Sequence, residues 1–228
     1  MRFLIAAAVT IFLFPPAVFT QTEPRKTYHV VNYDLKSGAH LYTETISEVG
    51  TPARSIHSVY TDSTNKAFAY KHMTFNASPT VPDYVLVDSR TGYRESVASR
   101  SGGFVVTTSL GDQEAATSLM VPDPAAVDRG VIRLVENNWD RLLTGESISL
   151  HFIVPEKQSY FRFRITPRRT PAALELTIEP ENLLLRNLLD PIRVTLDPQT
   201  KRVLEYRGIT SLMDKSGRNF RVRAVYQY

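Results

Sequence analysis

Apolar and polar residues alternate along most of the chain from residue 27 onward. The segments TYHVVNYDL and AHLYTETISEV flank a KSG turn, and ARSIHSVYT and KAFAYKHMTF flank the polar turn DSTN. DYVLVD, GYRESVAS and FVVTTSL follow, separated by further Gly-containing turns. Short strands at a spacing of roughly ten residues are typical of an antiparallel sheet or barrel. Because no internal repeat or long linker divides the chain, we predict a single domain over residues 21–228.

One segment departs from this alternation and has helical spacing instead. In PDPAAVDRGVIRLVENNWDRLLTGE the apolar residues recur every three or four positions; they are Val127, Val131, Leu134, Val135 and Leu142. This predicts a helix near residues 124–143, with Asp123 as its N-cap, that covers apolar surface of the sheet. Gly130 weakens such a helix by about 1 kcal/mol relative to Ala, which predicts a bend or break there. A shorter helix is predicted over Glu181–Leu189.

The N-terminus has the layout of a secretory signal peptide. A positive Met1-Arg2 pair precedes the twelve-residue apolar run FLIAAAVTIFLF and the helix-breaking PPAVFT. Twelve apolar residues are too few to span the bilayer, which needs roughly 20. We therefore predict a signal peptide over residues 1–20 and a periplasmic or secreted chain without stable membrane insertion after cleavage; an uncleaved membrane anchor is the alternative.

The charge of the chain is unevenly distributed. Residues 21–156 hold 12 Lys/Arg against 16 Asp/Glu, whereas residues 157–228 hold 14 against 7. Such asymmetry is typical of a surface for anionic partners. For an exported protein we expect an anionic lipid or glycan surface of the cell envelope and no nucleic acid. A solvated Arg-rich sheet face is the simpler alternative.

The stretch DPQTKRVLEYRG, residues 197–208, gathers acids, bases and a Tyr as an active site does. Pairing the strands around DPQT so that Asp197 faces Lys201 puts Val194 opposite Leu204 on an apolar face. Asp followed by Pro is also favourable for a type I turn. The stretch is therefore predicted to be a β-hairpin, with its charges on the solvent side.

A second hairpin is predicted around DKSG. Its register places Tyr206 beside Ala224 and Arg207 beside Arg223, and opposed like charges destabilise a sheet. Either this register is wrong, or acidic neighbours intervene, or the basic face meets an anion. The predicted anion-facing residues are Arg162, Arg164, Arg193, Arg207, Arg221 and Arg223.

The C-terminal segment IRVTLDPQTKRVLEYRGITSLMDKSGRNFRVRAVYQY and the upstream NNWDRLLTGESISLHFIVP resemble a group of uncharacterised exported bacterial proteins. That group is similar to the outer-membrane lipoprotein carriers and their receptor partners. The resemblance covers about a third of the chain and implies a strongly curved antiparallel sheet, an unclosed barrel with one or two helices covering its concave face. Carriers of that fold hold acyl chains, so the resemblance also implies lipid binding, by analogy of fold alone.

No sequence motif indicates catalysis, a cofactor or a metal. The five histidines form neither HExxH nor a close-spaced ligand pair, and no GxSxG or SxxK occurs. With no cysteine in the chain, thiol chemistry and cysteine metal sites are excluded. We predict a protein that is not an enzyme and needs no cofactor; a catalytic group assembled from distant residues is the open alternative.

The aromatic residues are the candidates to line an apolar cavity. Those predicted to bind a ligand are Trp139, Phe161, Phe163, Tyr206 and Phe220; ordinary core packing is the alternative. The sequence leaves two non-catalytic functions open, beside a hydrolase with no recognisable motif. One is a binding or carrier module that holds an apolar or lipidic ligand between sheet and helix. The other is a non-catalytic structural or interaction protein of the cell envelope.

Overall fold

The computed structural model describes residues 25–188 and 190–228, so the predicted signal peptide lies outside the described residues. The described chain is dominated by strands, as the alternating pattern predicts. They are β1 (Arg25–Asp34), β2 (His40–Val49), β3 (Ser55–Thr61), β4 (Ala67–Thr74), β5 (Asp83–Asp88), β6 (Tyr93–Arg100), β7 (Gly103–Leu110), β8 (Gln113–Leu119), β9 (Ala125–Ala126), β10 (Ile148–Val154), β11 (Ser159–Arg169), β12 (Leu174–Pro180), β13 (Ile192–Leu196), β14 (Val203–Met213) and β15 (Asn219–Gln227).

All these strands belong to one curved sheet. Within the first half, β1–β8, and within the second half, β9–β15, each strand pairs with its neighbours in the chain, and the pairing of β1 with β15 joins the two halves. Every pairing is antiparallel except β9 with β10. The sheet is unclosed, with β8 and β9 at its two edges. This confirms the predicted fold class, an unclosed barrel of mainly antiparallel strands.

A side-chain bridge links the two halves near the open edges. Gln158 follows a 3₁₀ turn at Pro155–Lys157. It accepts a hydrogen bond from the hydroxyl of Thr117 at 2.7 Å and donates one to Thr108 at 3.1 Å. The end of β10 is thereby held against β7 and β8.

The helical segment consists of α1 (Gly130–Asn137) and α2 (Trp139–Leu143), and a third helix, α3, spans Leu183–Leu188. The predicted start near residue 124 is wrong, because Asp123 and Pro124 precede β9 and helix α1 begins at Gly130. The break falls at Asn138, whose side chain donates to the Leu134 carbonyl at 2.9 Å. Among the described residues, no helix combines the length and apolar character needed to cross a membrane.

The buried apolar residues form two clusters. The first fills the barrel half built by β1–β7 and β15. The second lies where α1 and α2 cover strands β10–β14, and it includes the predicted apolar stripe of Val131, Leu134, Val135 and Leu142. Tyr206 and Tyr226 pack against both clusters. The helices therefore cover one half of the sheet, and the other half is filled by its own side chains.

The register of the C-terminal hairpins agrees in part with the prediction. In the β14–β15 hairpin, Tyr206 lies beside Ala224 and Arg207 beside Arg223, as predicted. The predicted β13–β14 register is wrong by two residues, because Val194 pairs with Tyr206 and not with Leu204. A bulge leaves Leu204 unpaired and 38% exposed.

Candidate functional site

The aromatic residues predicted to bind a ligand lie in different parts of the described structure. Trp139 is buried in the cluster below α1 and α2. Phe163 packs against the same cluster, and Phe161 lies opposite Phe152 on the neighbouring strand. Neither of the two main clefts described below is lined by these three residues.

The other two predicted residues lie elsewhere in the barrel. Tyr206 donates its hydroxyl hydrogen to the Ile209 carbonyl at 2.6 Å. Phe220 packs against Tyr42, with ring centroids 5.9 Å apart. Neither lines either cleft, so their role in ligand binding stays a prediction.

The opposed arginines of β14 and β15 share an acidic neighbour. Arg207 and Arg223 each donate to a different oxygen of Glu205 at 2.6 Å. Arg193 is the cross-strand partner of Arg207, which makes a row of three arginines across β13, β14 and β15. Burial would raise the pKa of Glu205, but the hydrogen bonds from the guanidinium groups of Arg207 and Arg223 outweigh it and lower that pKa.

The remaining residues of the predicted anion-facing set also have acidic partners. Arg162 and Arg164 both pair with Glu181, at 2.8 and 3.3 Å, and Arg221 pairs with Asp190. These ion pairs offset much of the positive charge on the outer face. Whether the face also meets an anion remains a prediction.

Two buried ion pairs lie inside the barrel. Lys71 on β4 pairs with Asp128, which precedes α1, and Arg129 donates to Glu44 on β2 at 3.0 Å. Burial alone would lower the pKa of Lys71, but the Asp128 and Glu44 carboxylates outweigh it and raise that pKa. Burial would likewise raise the pKa of Asp128, but Lys71 outweighs it and lowers that pKa. The Lys71–Asp128 pair therefore stays ionised although it is out of solvent.

A third inward-facing carboxyl, Glu95 on β6, has no cationic hydrogen-bond partner among the described residues. Tyr84 and Tyr93 donate to its two oxygens at 2.9 and 2.8 Å, and the side chain is 1% exposed. Burial raises the pKa of Glu95, and the charge of Lys71 offsets this only in part. Burial therefore favours the neutral acid, whereas the two tyrosine hydroxyls that donate to its oxygens favour the ionised form and lower the pKa.

The first of two adjoining clefts opens between α1 and the curved sheet. We call it the mouth cleft; it is lined by residues of β1, β15, the start of α1 and the turn between β13 and β14, and its volume is about 190 Å³. Five of its lining residues are cations, against two acids. The cations are Lys26, Arg129, Arg133, Lys201 and Arg202, and the acids are Glu48 and Glu136. The mouth cleft therefore favours an anion.

Two of the five cations have acidic partners close by. Arg129 pairs with the buried Glu44, and Arg133 pairs with Glu136 one turn along α1 at 3.0 Å. Glu48 accepts a hydrogen bond from the Tyr28 hydroxyl at 2.7 Å. Both acids that line the mouth cleft, Glu48 and Glu136, thus already accept hydrogen bonds from protein side chains.

The other three cations lie over aromatic rings. Lys26 and Arg202 lie 4.7 and 4.8 Å from the ring centroid of Tyr228, and Lys201 lies 5.3 Å from that of Trp139. Within residues 25–188 and 190–228, none of these three cations forms an ion pair with a carboxylate. A cation over a ring keeps its charge available for an anion.

A second cleft of about 240 Å³ adjoins the first. It is bounded by Arg25 and by the turn at residues 50–53, and it shares Lys26, Glu48 and Arg133 with the mouth cleft. The two clefts together form a continuous polar groove along one end of the sheet. Cationic groups from both sides of the groove face the same space.

The two histidines His57 and His72 also come together, on the outer face of the sheet. They are cross-strand partners on β3 and β4, and their Nδ1 atoms lie 3.1 Å apart. Burial, followed by the neighbouring His57, lowers the pKa of His72. Spacing along the chain gave no sign of this pair, because the two residues are fifteen positions apart and meet only through strand pairing. Among the described residues, no group of three or more His, Asp or Glu side chains is arranged to hold a metal ion.

The comparisons with known proteins bear on the fold. No family model matches this chain, and no curated protein matches it. Among solved structures, the chain is similar to the crystal structure of a β-barrel-like protein of a domain of unknown function, DUF1849, from Brucella abortus. The TM-score is 0.50 at 12% sequence identity, and the match covers 89% of this chain and 94% of that chain.

This similarity defines the class of the protein as β-barrel-like. It supports the part of the sequence resemblance that concerns an uncharacterised β-barrel-like group. The link to lipoprotein carriers is not confirmed by it and stays a prediction.

Proposed function

We propose that this chain is an exported, non-catalytic binding protein that holds an apolar or lipidic ligand between the curved sheet and helix α1, with the ligand's anionic head in the mouth cleft. The observation that carries the proposal is the set of Lys26, Lys201 and Arg202, three cations without carboxylate partners among the described residues, around one cleft. A charged hydrogen bond to such a head is worth about 1.5–3 kcal/mol.

The volume of the mouth cleft suits the head group of a ligand rather than a whole ligand. A volume of about 190 Å³ is below the 300–1,000 Å³ of sites that enclose a whole drug-sized ligand. Ile56, Phe75 and Ile132 add apolar surface to the lining. Burying an adjoining alkyl chain there gains about 25 cal/mol per Å². An anionic amphiphile therefore matches both parts of the lining.

Export is the part of the proposal that rests on the sequence alone. The apolar run after Met1-Arg2 predicts cleavage near residue 20. Cell fractionation followed by N-terminal sequencing tests it. A periplasmic or secreted chain that begins near residue 21 supports export, and a cytoplasmic chain that retains Met1 contradicts it.

Binding can be followed with the protein's own fluorescence. Trp139 is the single tryptophan, and its ring centroid lies 5.3 Å from the Nζ atom of Lys201, which lines the mouth cleft. Titration with dodecyl phosphate below its micelle concentration is expected to give a saturable change in Trp139 emission and a matching calorimetric isotherm. Dodecyl maltoside, with the same chain and a neutral head, is expected to bind much more weakly.

The matched variants separate a specific site from general charge. Lys201→Ala with Arg202→Ala is expected to weaken dodecyl phosphate binding by about tenfold or more. Arg168→Ala with Arg169→Ala removes the same charge from the exposed end of β11. Because these two residues line neither cleft, this double variant should leave the affinity unchanged. Equal binding of the two detergents, or equal effects of the two double variants, would overturn the proposal.

A further inference from the structure

The outer-face pair of His57 and His72 has the geometry of a chelate. Both side chains are exposed, and their ring centroids lie 4.2 Å apart with an angle of 35° between the ring planes. Each residue is fixed by an antiparallel strand pair in the middle of the sheet, with β2 on one side and β5 on the other. The backbone thus holds the two imidazoles next to each other, with their planes tilted, without help from a flexible loop.

The distance between the two nitrogens matches the separation of two ligands on one metal ion. Imidazole nitrogens bind zinc and similar ions at about 2.0–2.1 Å. With an Nδ1–Nδ1 distance of 3.1 Å, an ion at that bond length would make an N–metal–N angle of about 98°, between the octahedral and tetrahedral values. In the structure this contact is a hydrogen bond between the two rings, and a bound ion would replace it once both side chains turn their Nδ1 lone pairs towards the ion.

We propose that His57 and His72 form a two-ligand site for a divalent transition-metal ion of the copper, nickel and zinc group, with copper(II) bound most tightly. Imidazole suits all three ions, and for a given set of nitrogen ligands the affinity is highest for copper(II). The strand neighbours Ser47 and Val85 supply no carboxylate or imidazole. The remaining coordination positions are therefore open to water or to a ligand from outside.

The site is separate from the mouth cleft. Along β3, His57 points outward between Ile56 and Ser58, which are both buried inside the barrel. Neither histidine lines either cleft. Metal binding and anion binding can therefore succeed or fail independently.

The test uses the full mature chain, purified without a polyhistidine tag. Copper(II) titration followed by calorimetry and by electron paramagnetic resonance is expected to show one ion per chain, with hyperfine splitting from two imidazole nitrogens. His57→Gln and His72→Gln should each weaken binding by about tenfold or more, because the second ligand no longer acts within the same molecule.

His29→Gln is the matched control. His29 is an exposed histidine on β1 whose ring contacts Thr45, and its loss should leave copper binding unchanged. Circular dichroism of all three variants should show an unchanged fold, since the side chains are on the surface. Copper binding that survives in the His57→Gln and His72→Gln variants, or a spectrum with a single imidazole, would overturn the proposal.

Discussion

Lys71 and Asp128 form an ion pair in the interior of the barrel, and the pair joins strand β4 to the loop that leads into helix α1. Their side chains are only 9% and 17% exposed. Asp128 has a left-handed backbone conformation, with φ of 48°, which Asp and Asn adopt more readily than other residues with a side chain. The pair therefore fixes the start of α1 on the sheet, and with it one wall of the mouth cleft.

Asp128→Asn is expected to destabilise the protein by about 3 kcal/mol, because it leaves Lys71 buried beside a neutral amide. Asn keeps the shape of the side chain and tolerates the same backbone angle. The loss of stability therefore measures the effect of removing the negative charge of Asp128. Urea unfolding measures the change, with Glu156→Gln in an exposed pair as the control, expected to cost less than about 1 kcal/mol.

Removing both charges provides the second measurement for this pair. The double variant Lys71→Met with Asp128→Asn is expected to recover part of the loss, since no unpaired cation then remains at that position. Equal stability of Asp128→Asn and the wild type would show that the pair does not hold the loop.

Glu95 gives the protein a characteristic dependence on pH. Its pKa in the folded state is raised above the ordinary 4.5 of the unfolded chain. At pH values between the unfolded-state and the folded-state pKa, the folded chain therefore holds more protons than the unfolded chain. The free energy of unfolding therefore falls as the pH rises through this interval, and it levels off above the folded-state pKa. Asp128, with a lowered pKa, acts in the opposite sense and loses its contribution as the pH falls below its ordinary 3.8.

Glu95→Gln is expected to remove the contribution of Glu95. Relative to the wild type, its free energy of unfolding should increase as the pH is raised from 4.5 and then remain constant. Urea unfolding between pH 4 and pH 8 checks this, with Glu175→Gln on the surface as a control without such a trend. A constant difference across this range would show that folding does not raise the pKa of Glu95.

Period-two alternation predicted the antiparallel strands, because a residue's place in the alternation decides which side of the sheet it faces. The strongly curved, unclosed barrel was implied by the resemblance of the C-terminal segment. The same pattern also carried a signal for the interior charges. Glu44 alternates in phase with the buried Tyr42 and Ile46, and Glu95 alternates in phase with Tyr93 and Val97. A charge at an inward position must be paired or neutral, so these two residues were readable as a buried polar group.

The mouth cleft could not be predicted in the same way. Lys26 and Arg202 approach the same ring, that of Tyr228, only because β1 pairs with β15 across the whole length of the chain. Local turn chemistry fixed the β14–β15 register but not that of β13–β14. There Lys201 takes a left-handed conformation, with φ of 59°, and Leu204 bulges out of the pairing.

Gly130 has a packing role that its helix propensity does not describe. A Cβ atom on Gly130 would lie 1.8 Å from the carbonyl oxygen of Thr80, the same oxygen that accepts a hydrogen bond from the Val127 amide at 3.1 Å. Gly130→Ala is therefore expected to destabilise the protein by about 2–3 kcal/mol, although Ala favours helices. Thermal and urea unfolding measure it. Asn137→Ala, at the exposed end of the same helix, should be neutral or slightly stabilising; a similar result at Gly130 would contradict the close approach.

The row of Arg193, Arg207 and Arg223 should depend on Glu205 and on salt. Glu205→Gln removes the one carboxylate that both Arg207 and Arg223 contact, and leaves cations opposed on three strands. We expect a loss of about 1 kcal/mol at low ionic strength that becomes smaller in 0.5 M NaCl, where the Debye length is well below 10 Å. Urea unfolding at both salt concentrations checks this.

The control is Glu175→Gln, which breaks a single exposed pair with Arg168. It should lose less stability than Glu205→Gln, and its stability should depend less on salt. If the two variants lose the same stability and respond equally to salt, solvent screens the opposed arginines and Glu205 does not stabilise the row.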